Sequence, residues 1–323
     1  METNKQKIVP NLWFDNQAKE AAEFYVSVFG NGSKVNHISQ IHDTPSGSVD
    51  IVTFDVWGHS FMAISAGPLF KLNPSISFMV NFDPSQPARP DDAGRSGGDK
   101  DAKARIDEIW NKLADGGKIL MPIDKYPFSE RYGWVQDKFG LSWQLILTKP
   151  EGEERPLIIP SLLFVGGVCG KAEEASDFYL SIFSARDGKN TKHGAIARYG
   201  ADNAPDKAGT VMFTDFSLLG QWFAAMDSAH MHEFSFNEAI SFIVNCDTQE
   251  EIDYYWEQLS AVPEAEQCGW LKDKYGVSWQ IVPVAMNEMM ATNDKEKLSR
   301  ITQALLKMKK FDIAELEKAA AGK

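Results

Sequence analysis

Two segments of this chain are nearly the same: "GWVQDKFGLSWQL" (residues 133–145) and "GWLKDKYGVSWQI" (residues 269–281). Eight of the thirteen positions are identical. In each copy a strand-like stretch reaches a D-K-aromatic-G turn, whose glycine adopts a positive φ without steric cost, and a second strand then returns. Side chains alternate along a strand, so Gln144 points to one face and Trp143 to the other. The pattern predicts the same β-hairpin in both halves of the chain.

The matching hairpins belong to a longer repeat, because other segments match in the same order. The further pairs are "IVPNLWF" (8–14) with "IIPSLLF" (158–164), "NPSISFMVNFD" (73–83) with "NEAISFIVNCD" (237–247), and "RIDEIWNKLADGG" (105–117) with "EIDYYWEQLSAVP" (251–263). Conserved order indicates duplication of a whole domain, and the repeat length suits an independent domain better than a solenoid unit. We predict domains over residues 1–150 and 156–285, followed by a C-terminal helical extension over 286–323.

Each half shows the order strand, helix and several strands, given twice. In the first half the predicted elements are a strand at 8–14, a helix that begins after Asp15 or Asn16 and stops at Gly30, strands at 34–41, 50–56 and 60–65, a strand at 75–82, a helix at 102–114, and strands near Ile119, at 133–136 and at 142–148. Alternating strands and helices often form a doubly wound parallel sheet. Three hairpin-linked strands after each helix argue against that arrangement and favour an α+β fold with two βαβββ modules in each half.

Bulk composition excludes several classes of function. The formal net charge of the 323 residues is −12, which disfavours nucleic acid and anionic membranes as partners because both would be repelled. No apolar run has the ~18–20 residues of a membrane helix, and the N-terminus lacks the apolar core of a secretory signal. Three cysteines are too few for a disulfide framework. We therefore expect a cytoplasmic protein.

Two segments lie outside the repeat. Residues 84–103 are rich in Pro, Gly, Asp and Ser, which predicts a mobile surface insertion. In the C-terminal extension, Asn293 or Asp294 is a candidate helix cap, and the apolar residues that follow have helical spacing. We predict two short helices there, docked on a domain or on a partner subunit.

The repeated blocks resemble the vicinal-oxygen-chelate superfamily of glyoxalases and bleomycin-resistance proteins. More narrowly, "FDNQAKEAAEFYVSVFG", "FMAISAGPLFKLNPSISF", "QCGWLKDKYGVSWQIVP" and the tail "QALLKMKKFDIAELEKA" are similar to the PhnB-like group that carries the name 3-demethylubiquinone-9 3-methyltransferase. The resemblance implies tandem glyoxalase-like domains, in each of which two βαβββ modules form one curved mixed sheet, flanked by helices, around a pocket. It also implies that the two halves form a pseudo-dimer within one chain; a homodimer of the whole chain stays open.

Metalloenzymes of this superfamily place His or Glu at equivalent points of the first and last strands of each module. The resemblance projects these points onto Val9 or Pro10, Ile159 or Pro160, Ala63, Ala225, Ser77, Ser241, Gln144 and Gln280. Divalent ions need several imidazole or carboxylate ligands, and alanine, serine and glutamine supply neither. We therefore predict no conventional metal site and no cofactor.

The remaining candidates are pocket residues. Ser77 and Gln144 in the first half and Ser241 and Gln280 in the second are polar residues in apolar strands, so we predict that they line ligand pockets. Cys268 stands directly before the second hairpin, where it is a candidate nucleophile or redox thiol, although a buried structural thiol is the more common role.

Two functions from different classes stay open. The first is a non-metal module that binds a small, partly apolar molecule. The second is an enzyme, either an isomerase, lyase or dioxygenase with an atypical metal site, or the methyltransferase of the family name. The glycines of "FVGGVCGKAEEA" (164–175) are weak support for a nucleotide pocket, because the first half has none at the same turn. An interaction role for the C-terminal helices is a third alternative.

Overall fold

The computed structural model describes residues 6–44, 47–84, 99–149, 155–201, 203–290, 292 and 294–323. They form four successive modules and a helical tail. The first module is β1 (Ile8–Phe14), α1 (Ala18–Phe29), β2 (Lys34–Thr44), β3 (Gly47–Val56) and β4 (His59–Ser65). The second is β5 (Ile76–Phe82), α2 (Asp99–Ala114), β6 (Lys118–Tyr126), β7 (Ser129–Gln136) and β8 (Ser142–Leu147). The third is β9 (Ile158–Val165), α3 (Ala172–Ser184), β10 (Lys192–Arg198), β11 (Val211–Leu218) and β12 (Gln221–Ser228). The fourth is β13 (Ile240–Cys246), α4 (Gln249–Leu259), β14 (Trp270–Lys272) and β15 (Ser278–Pro283), and the tail is α5 (Ala285–Met290), α6 (Lys295–Leu305) and α7 (Ile313–Ala321).

The strands form two mixed sheets, and each sheet combines one module from each half of the chain. A seven-stranded sheet has the order β14-β15-β13-β1-β4-β3-β2, and an eight-stranded sheet has the order β10-β11-β12-β9-β5-β8-β7-β6. The halves join where β1 pairs antiparallel with β13 and β5 pairs antiparallel with β9. The α+β class and the mixed sheets with flanking helices agree with the prediction. The two modules of one half, which we expected to share a sheet, contribute to different sheets.

Aromatic side chains of the two modules pack against each other within each half, and the main hydrophobic core is continuous across both halves. In the first half the ring of Tyr25 on α1 lies 5.4 Å from that of Trp143 on β8, and Phe61 on β4 lies 5.0 Å from Phe78 on β5. Equivalent contacts recur in the second half, between Tyr179 and Trp279 and between Phe223 and Phe242. The helix-packed faces of the two modules therefore meet inside each half, while backbone pairing connects one half to the other.

Strand alternation gives each sheet a second face, which we call the inner face: the face opposite the one packed against α1–α4. On β1, Leu12 belongs to the core and its neighbour Asn11 points to the inner face. On β15, Trp279 belongs to the core and Gln280 points to the inner face. By the same alternation, the predicted pocket residues Ser77, Gln144, Ser241 and Gln280 lie on the inner faces.

Several helix boundaries differ from the prediction because tertiary contacts set them. The residue before α1 is Gln17 rather than Asp15 or Asn16, and Ser65 Oγ of β4 accepts the Ala18 N–H at 3.1 Å. Helix α2 begins at Asp99, inside the predicted insertion, whose residues 85–98 lie outside the described residues. The prediction for α6 is confirmed, since Asp294 caps it by accepting the Lys297 N–H at 3.0 Å. None of the helices within the described ranges is long and apolar enough to cross a membrane.

The fourth module has two strands after its helix instead of the predicted three. In the second module β6 and β7 pair as the outer hairpin of the eight-stranded sheet. At the matching edge of the seven-stranded sheet, the N–H groups of Cys268 and Gly269 donate to the carbonyls of Met308 (2.8 Å) and Lys309 (2.7 Å) in the tail. The tail therefore supplies the hydrogen bonds that a third strand would make.

Candidate functional site

Each inner face contains a serine–glutamine pair at its centre. In the eight-stranded sheet Gln144 Nε2 donates to Ser77 Oγ at 2.7 Å, and in the seven-stranded sheet Gln280 Nε2 donates to Ser241 Oγ at 2.9 Å. All four side chains are buried. The two pairs arise because β5 runs parallel to β8 and β13 runs parallel to β15, which places the serine and the glutamine on neighbouring strands. The structure therefore brings together four of the five predicted pocket residues as two separate pairs.

The pair in the eight-stranded sheet belongs to a closed hydrogen-bond network. Tyr132 donates its hydroxyl to Gln144 Oε1 at 2.8 Å, and Gln144 Nε2 also lies 3.5 Å from Ser161 Oγ on β9. The indole of Trp134 donates to Ser142 Oγ at 2.7 Å in the same part of the sheet. Burial raises the pKa of the Tyr132 hydroxyl, so this donor keeps its proton. The polar groups at the centre of this face thus satisfy one another.

The pair in the seven-stranded sheet has neighbours without partners. Asn11 on β1 and Ser278 on β15 both pair in register with Ser241, one on each side of it. Asn11 Oδ1 and Ser278 Oγ are buried, and no described residue forms a hydrogen bond with either atom. Each such buried group costs about 1–3 kcal/mol relative to its hydration in the unfolded chain. The inner face of the seven-stranded sheet therefore contains two buried oxygen atoms that could still accept hydrogen bonds. Among the described residues, the eight-stranded sheet has no such atom.

The inner face of the eight-stranded sheet is also filled by its own side chains. Trp222 on β12 stands at the position that Ser60 occupies on β4, and it packs in a buried cluster with Met79, Ile159 and Ala224. The guanidinium of Arg155 lies 3.7 Å from the Trp222 ring centroid. Its Nε donates to the buried Asp215 Oδ2 at 2.6 Å, which holds the arginine over the tryptophan. This stack covers the centre of the face.

The inner face of the seven-stranded sheet is more open and aromatic. Trp13 on β1 and Trp270 on β14 are half-buried, and their rings meet edge to face at 6.1 Å. At the end of the row that contains Ser278, Lys272 forms an ion pair with Glu238 at 2.7 Å, so their charges neutralise each other. The half-buried part of this face is therefore aromatic, and the uncharged polar groups beside it are buried.

The residues at the projected metal positions do not fit a metal ion. Ala63 and Ala225 lie in the hydrophobic core on the helix-packed face, and their inner-face neighbours are Met62 and Ala224. The remaining donors are the amide and hydroxyl groups of the serine–glutamine pairs, which are poor ligands for divalent ions. Across the described ranges, His, Cys, Asp and Glu side chains form no group of three or more that could hold a metal ion. Hydrogen bonds and apolar contacts are therefore what these faces offer a ligand.

Cys268 lies apart from the serine–glutamine pair, in a cluster formed with the tail. It packs against Met286, Ile301, Phe311 and Leu316, and burial raises the pKa of its thiol. A thiol with a raised pKa is a poor nucleophile at neutral pH. Cys268 also stands at the sequence position of Tyr132 in the repeat, so within the described residues Gln280 lacks the phenol donor that Gln144 has.

Two amides at the end of the glycine turn after β9 bind a carboxylate of the same chain. The N–H groups of Gly170 and Ala172 donate to Asp227 Oδ1 at 2.7 and 3.1 Å, and the Val211 N–H donates to Asp227 Oδ2 at 3.0 Å. Amides that bind a carboxylate of the same chain are not available to a phosphate. The arrangement is the counterpart of Ser65 capping α1 and therefore stabilises the start of α3.

A cavity of about 600 Å³ lies between the two halves, away from both inner faces. Its lining includes His59, whose Nε2 is buried and has no hydrogen-bond partner among the described residues, and whose pKa burial lowers to about 3. Two of its charged groups, Lys7 and Asp247, form an ion pair with each other, and Arg186 forms one with Glu250 outside the lining. This cavity is polar and interfacial, and its residues differ from those that the repeat motif predicts.

The sequence contained one signal that would have identified Asn11. The repeat aligns Asn11 with Ser161, so each first strand has a polar residue at the same inner position of an otherwise apolar segment. No signal in the sequence distinguished Trp270 and Ser278. The other copy has identical residues, Trp134 and Ser142, and there the indole N–H donates to the serine hydroxyl, whereas Ser278 Oγ has no partner among the described residues.

Comparison with known proteins identifies relatives of both the halves and the whole chain. The sequence matches the profile of a family described as 3-demethylubiquinone-9 3-methyltransferase over residues 6–88, 99–146 and 156–282. A PhnB protein from Bacillus cereus, described by the same activity, is 33% identical; the match covers 44% of this chain and 100% of that one, with a TM-score of 0.36. Glyoxalase I from Zea mays is 11% identical over 88% of this chain and 95% of that one, with a TM-score of 0.51. A search of curated proteins found no match.

Proposed function

The chain belongs to the family described as 3-demethylubiquinone-9 3-methyltransferase, and from this starting point we propose that it binds a small, uncharged, partly aromatic molecule on the inner face of its seven-stranded sheet. Binding uses no metal ion. The observation that carries the proposal is the pair of buried atoms without partners among the described residues, Asn11 Oδ1 and Ser278 Oγ, on either side of the Ser241–Gln280 hydrogen bond.

The buried polar atoms that lack hydrogen-bond partners among the described residues indicate which chemical groups the ligand needs. A carbonyl oxygen such as Asn11 Oδ1 accepts hydrogen bonds, so the ligand needs a hydroxyl or N–H donor. Trp13 and Trp270 offer ring edges and faces to a flat apolar body. Because Lys272 and Glu238 neutralise each other, the pair gives an ionic ligand no net charge to bind.

The two inner faces are expected to differ in function although they descend from one repeat. On the eight-stranded sheet the Arg155–Trp222 stack occupies the centre, and the polar groups of the Tyr132–Gln144–Ser77 network already bind one another. A ligand there would have to break these interactions without replacing them. We therefore propose one binding site per chain.

The methyltransferase named in the family description is the alternative function. It requires a site for a nucleotide-like methyl donor, and the glycine turn is the segment of the sequence nearest to such a motif. The engagement of Gly170 and Ala172 by Asp227 gives this alternative no support. A rise in melting temperature on addition of S-adenosylmethionine would favour it.

The proposal is tested with 2-naphthol, a neutral aromatic probe with one donor, titrated by calorimetry against its methyl ether, which has the same rings and no donor. We expect one molecule of 2-naphthol per chain and weaker binding of the ether. Asn11→Ala removes the Oδ1 acceptor and should weaken 2-naphthol binding about tenfold, the equivalent of one hydrogen bond. Ser161→Ala changes the equivalent position of the other sheet and should leave affinity unchanged. Equal effects of the two substitutions, or equal binding of the ether, would contradict the proposal.

A further inference from the structure

The C-terminal tail occupies the outer edge of the seven-stranded sheet. The Cys268 and Gly269 amides donate to the Met308 and Lys309 carbonyls, and Gln267 Nε2 donates to the Leu306 carbonyl at 2.9 Å. These contacts come directly before Trp270, which pairs in register with Gln280. Residues 306–311 are therefore connected to the proposed site through backbone hydrogen bonds.

The same segment is anchored firmly. Gln249 brackets it, since its Nε2 donates to the Phe311 carbonyl at 3.0 Å and its Oε1 accepts the Ile313 N–H at 2.9 Å. Lys310 forms an ion pair with Asp253 at 2.5 Å. The ring of Phe311 occupies the space that a β-carbon on Gly269 would need. Residues 306–311 thus form a fixed point at one edge of the sheet.

Helix α6 extends from that point across the sheet. Helix α5 contacts β15, whereas α6 contacts β2, the strand at the opposite edge of the same sheet. Val282, which points to the inner face two residues beyond Gln280, packs in the same cluster as Ile301 of α6. A flat sheet would separate β15 from β2 by about 24 Å at the usual strand spacing, and an eleven-residue helix spans about 16 Å. Contact with β2 together with the cluster that includes Val282 therefore indicates a sheet that curves towards α6, with α6 on its inner-face side.

Helix α6 packs mainly on α7, where Arg300 Nε donates to the Ala319 carbonyl at 3.1 Å, and its contact with β2 is smaller. Ile301 and Thr302 are its only buried residues among those described, and its remaining surface is polar or half-buried. Elements with few buried apolar contacts open at low free-energy cost, while hydrogen-bonded anchors remain in place.

We propose that α6 is a lid over the inner face of the seven-stranded sheet, which opens by leaving β2 while residues 306–311 stay fixed on the segment before β14 as its pivot. The lid controls entry to the proposed binding site, and its relevance to a ligand rests on that function. Its movement, however, is a property of the protein alone. The eight-stranded sheet has no such helix among the described residues, in keeping with its self-filled inner face.

The lid is tested without any ligand, through the reactivity of a cysteine placed beneath it. Ser241→Cys puts a thiol at a fully buried position of the covered face, and Ser77→Cys puts one at the equivalent buried position of the other sheet. Iodoacetamide labelling of each is followed by peptide mass spectrometry, which separates these sites from Cys169, Cys246 and Cys268. Ile301→Ala then weakens the hold of α6, and Leu305→Ala, at a half-buried residue of α6 in the same cluster, provides a second release if the first variant folds poorly.

We expect either release to speed labelling at position 241 about tenfold or more, because labelling follows the population of the open state, and to change labelling at position 77 less than about twofold. Equal acceleration at both positions would mean general destabilisation and would overturn the lid. Unchanged labelling at position 241 would overturn it as well. Failure of 2-naphthol to bind would contradict the proposed function and leave this result intact.

Discussion

Trp279 donates its indole N–H to the carboxylate of Asp273 at 2.9 Å, with both side chains buried in the second half. Asp273 also accepts the N–H groups of Tyr275 and Val277 and the hydroxyl of Tyr179. In the first half, Asp137 accepts the Trp143 indole at 2.9 Å together with two backbone amides of its own turn. The repeated D-K-aromatic-G-x-S-W phrase therefore encodes a buried carboxylate that holds the turn and the core tryptophan together.

The first prediction concerns this carboxylate. Asp273→Asn replaces one acceptor oxygen with an amide N–H₂ group, which then faces donors whichever way the amide is turned. We expect a loss of about 1.5–3 kcal/mol in the free energy of unfolding, since hydrogen bonds to a charged group are lost inside the core. Urea denaturation measures the loss. Asp177→Asn, at an exposed carboxyl, is the control and should change stability by less than about 0.5 kcal/mol. Equal stabilities of the two variants would show that the hydrogen bonds to Asp273 do not stabilise the fold.

The second prediction is a pH dependence that comes from Asp137. Burial raises its pKa to about 6, against the opposing hydrogen bonds from Trp143, Phe139 and Leu141. The unfolded chain releases this proton near pH ~3.9, so between these values the folded state binds more protons. The stabilisation associated with the protonated carboxyl is therefore complete below pH ~4 and is lost as the pH rises through about 6.

Asp137→Asn removes this titration and is the reference for the measurement. Urea unfolding of both proteins between pH ~4.5 and ~7.5, a range that spans the folded-state pKa, gives the free-energy difference, wild type minus variant. That difference should decrease as the pH rises. A difference that is constant or that increases with pH would show that Asp137 ionises normally in the folded protein.

The third prediction concerns the stack that fills the eight-stranded sheet. A methyl group on Gly194 would overlap Asp215 Oδ1 and the Trp222 ring. Gly194→Ala should therefore displace the carboxylate that holds Arg155 and destabilise the protein by about 1–3 kcal/mol, as overpacking does. In the Asp215→Ala background the same substitution should cost less, and a double-mutant cycle by thermal or urea denaturation measures the coupling.

Gly188→Ala is the matched control, because its new methyl group would make only an ordinary contact with the Ser184 carbonyl at 3.5 Å. A coupling close to zero between positions 194 and 215 would mean that the chain relieves the overlap elsewhere. In that case the Arg155–Asp215 pair would not be what fills this inner face.

Local patterns in the sequence were sufficient for most of the elements, although the third strand predicted for the fourth module is missing from the part of the chain that the structure describes. The duplicated hairpin, the strand–helix–strand order and the serine–glutamine positions depend on the periodicity of a few neighbouring residues, and β8 and β15 form as the alternation predicts. The cap of α1 was not predictable in this way. Ser65 reaches Ala18 from another strand, and no spacing near Asn16 encodes that contact.

A twofold repeat of α+β modules, with one polar pair in each copy, is readable from the order of the residues alone. Only the tertiary structure shows that β1 pairs with β13 of the other half. Only the tertiary structure shows that Asn11 Oδ1 has no hydrogen-bond partner among the described residues, whereas its counterpart Ser161 lies within reach of Gln144. The sequence alone does not predict this difference between the two sheets, because two copies of one motif carry the same local information. What separates them, namely Trp222 in one sheet and the tail helices on the other, acts through contacts between residues far apart in the chain.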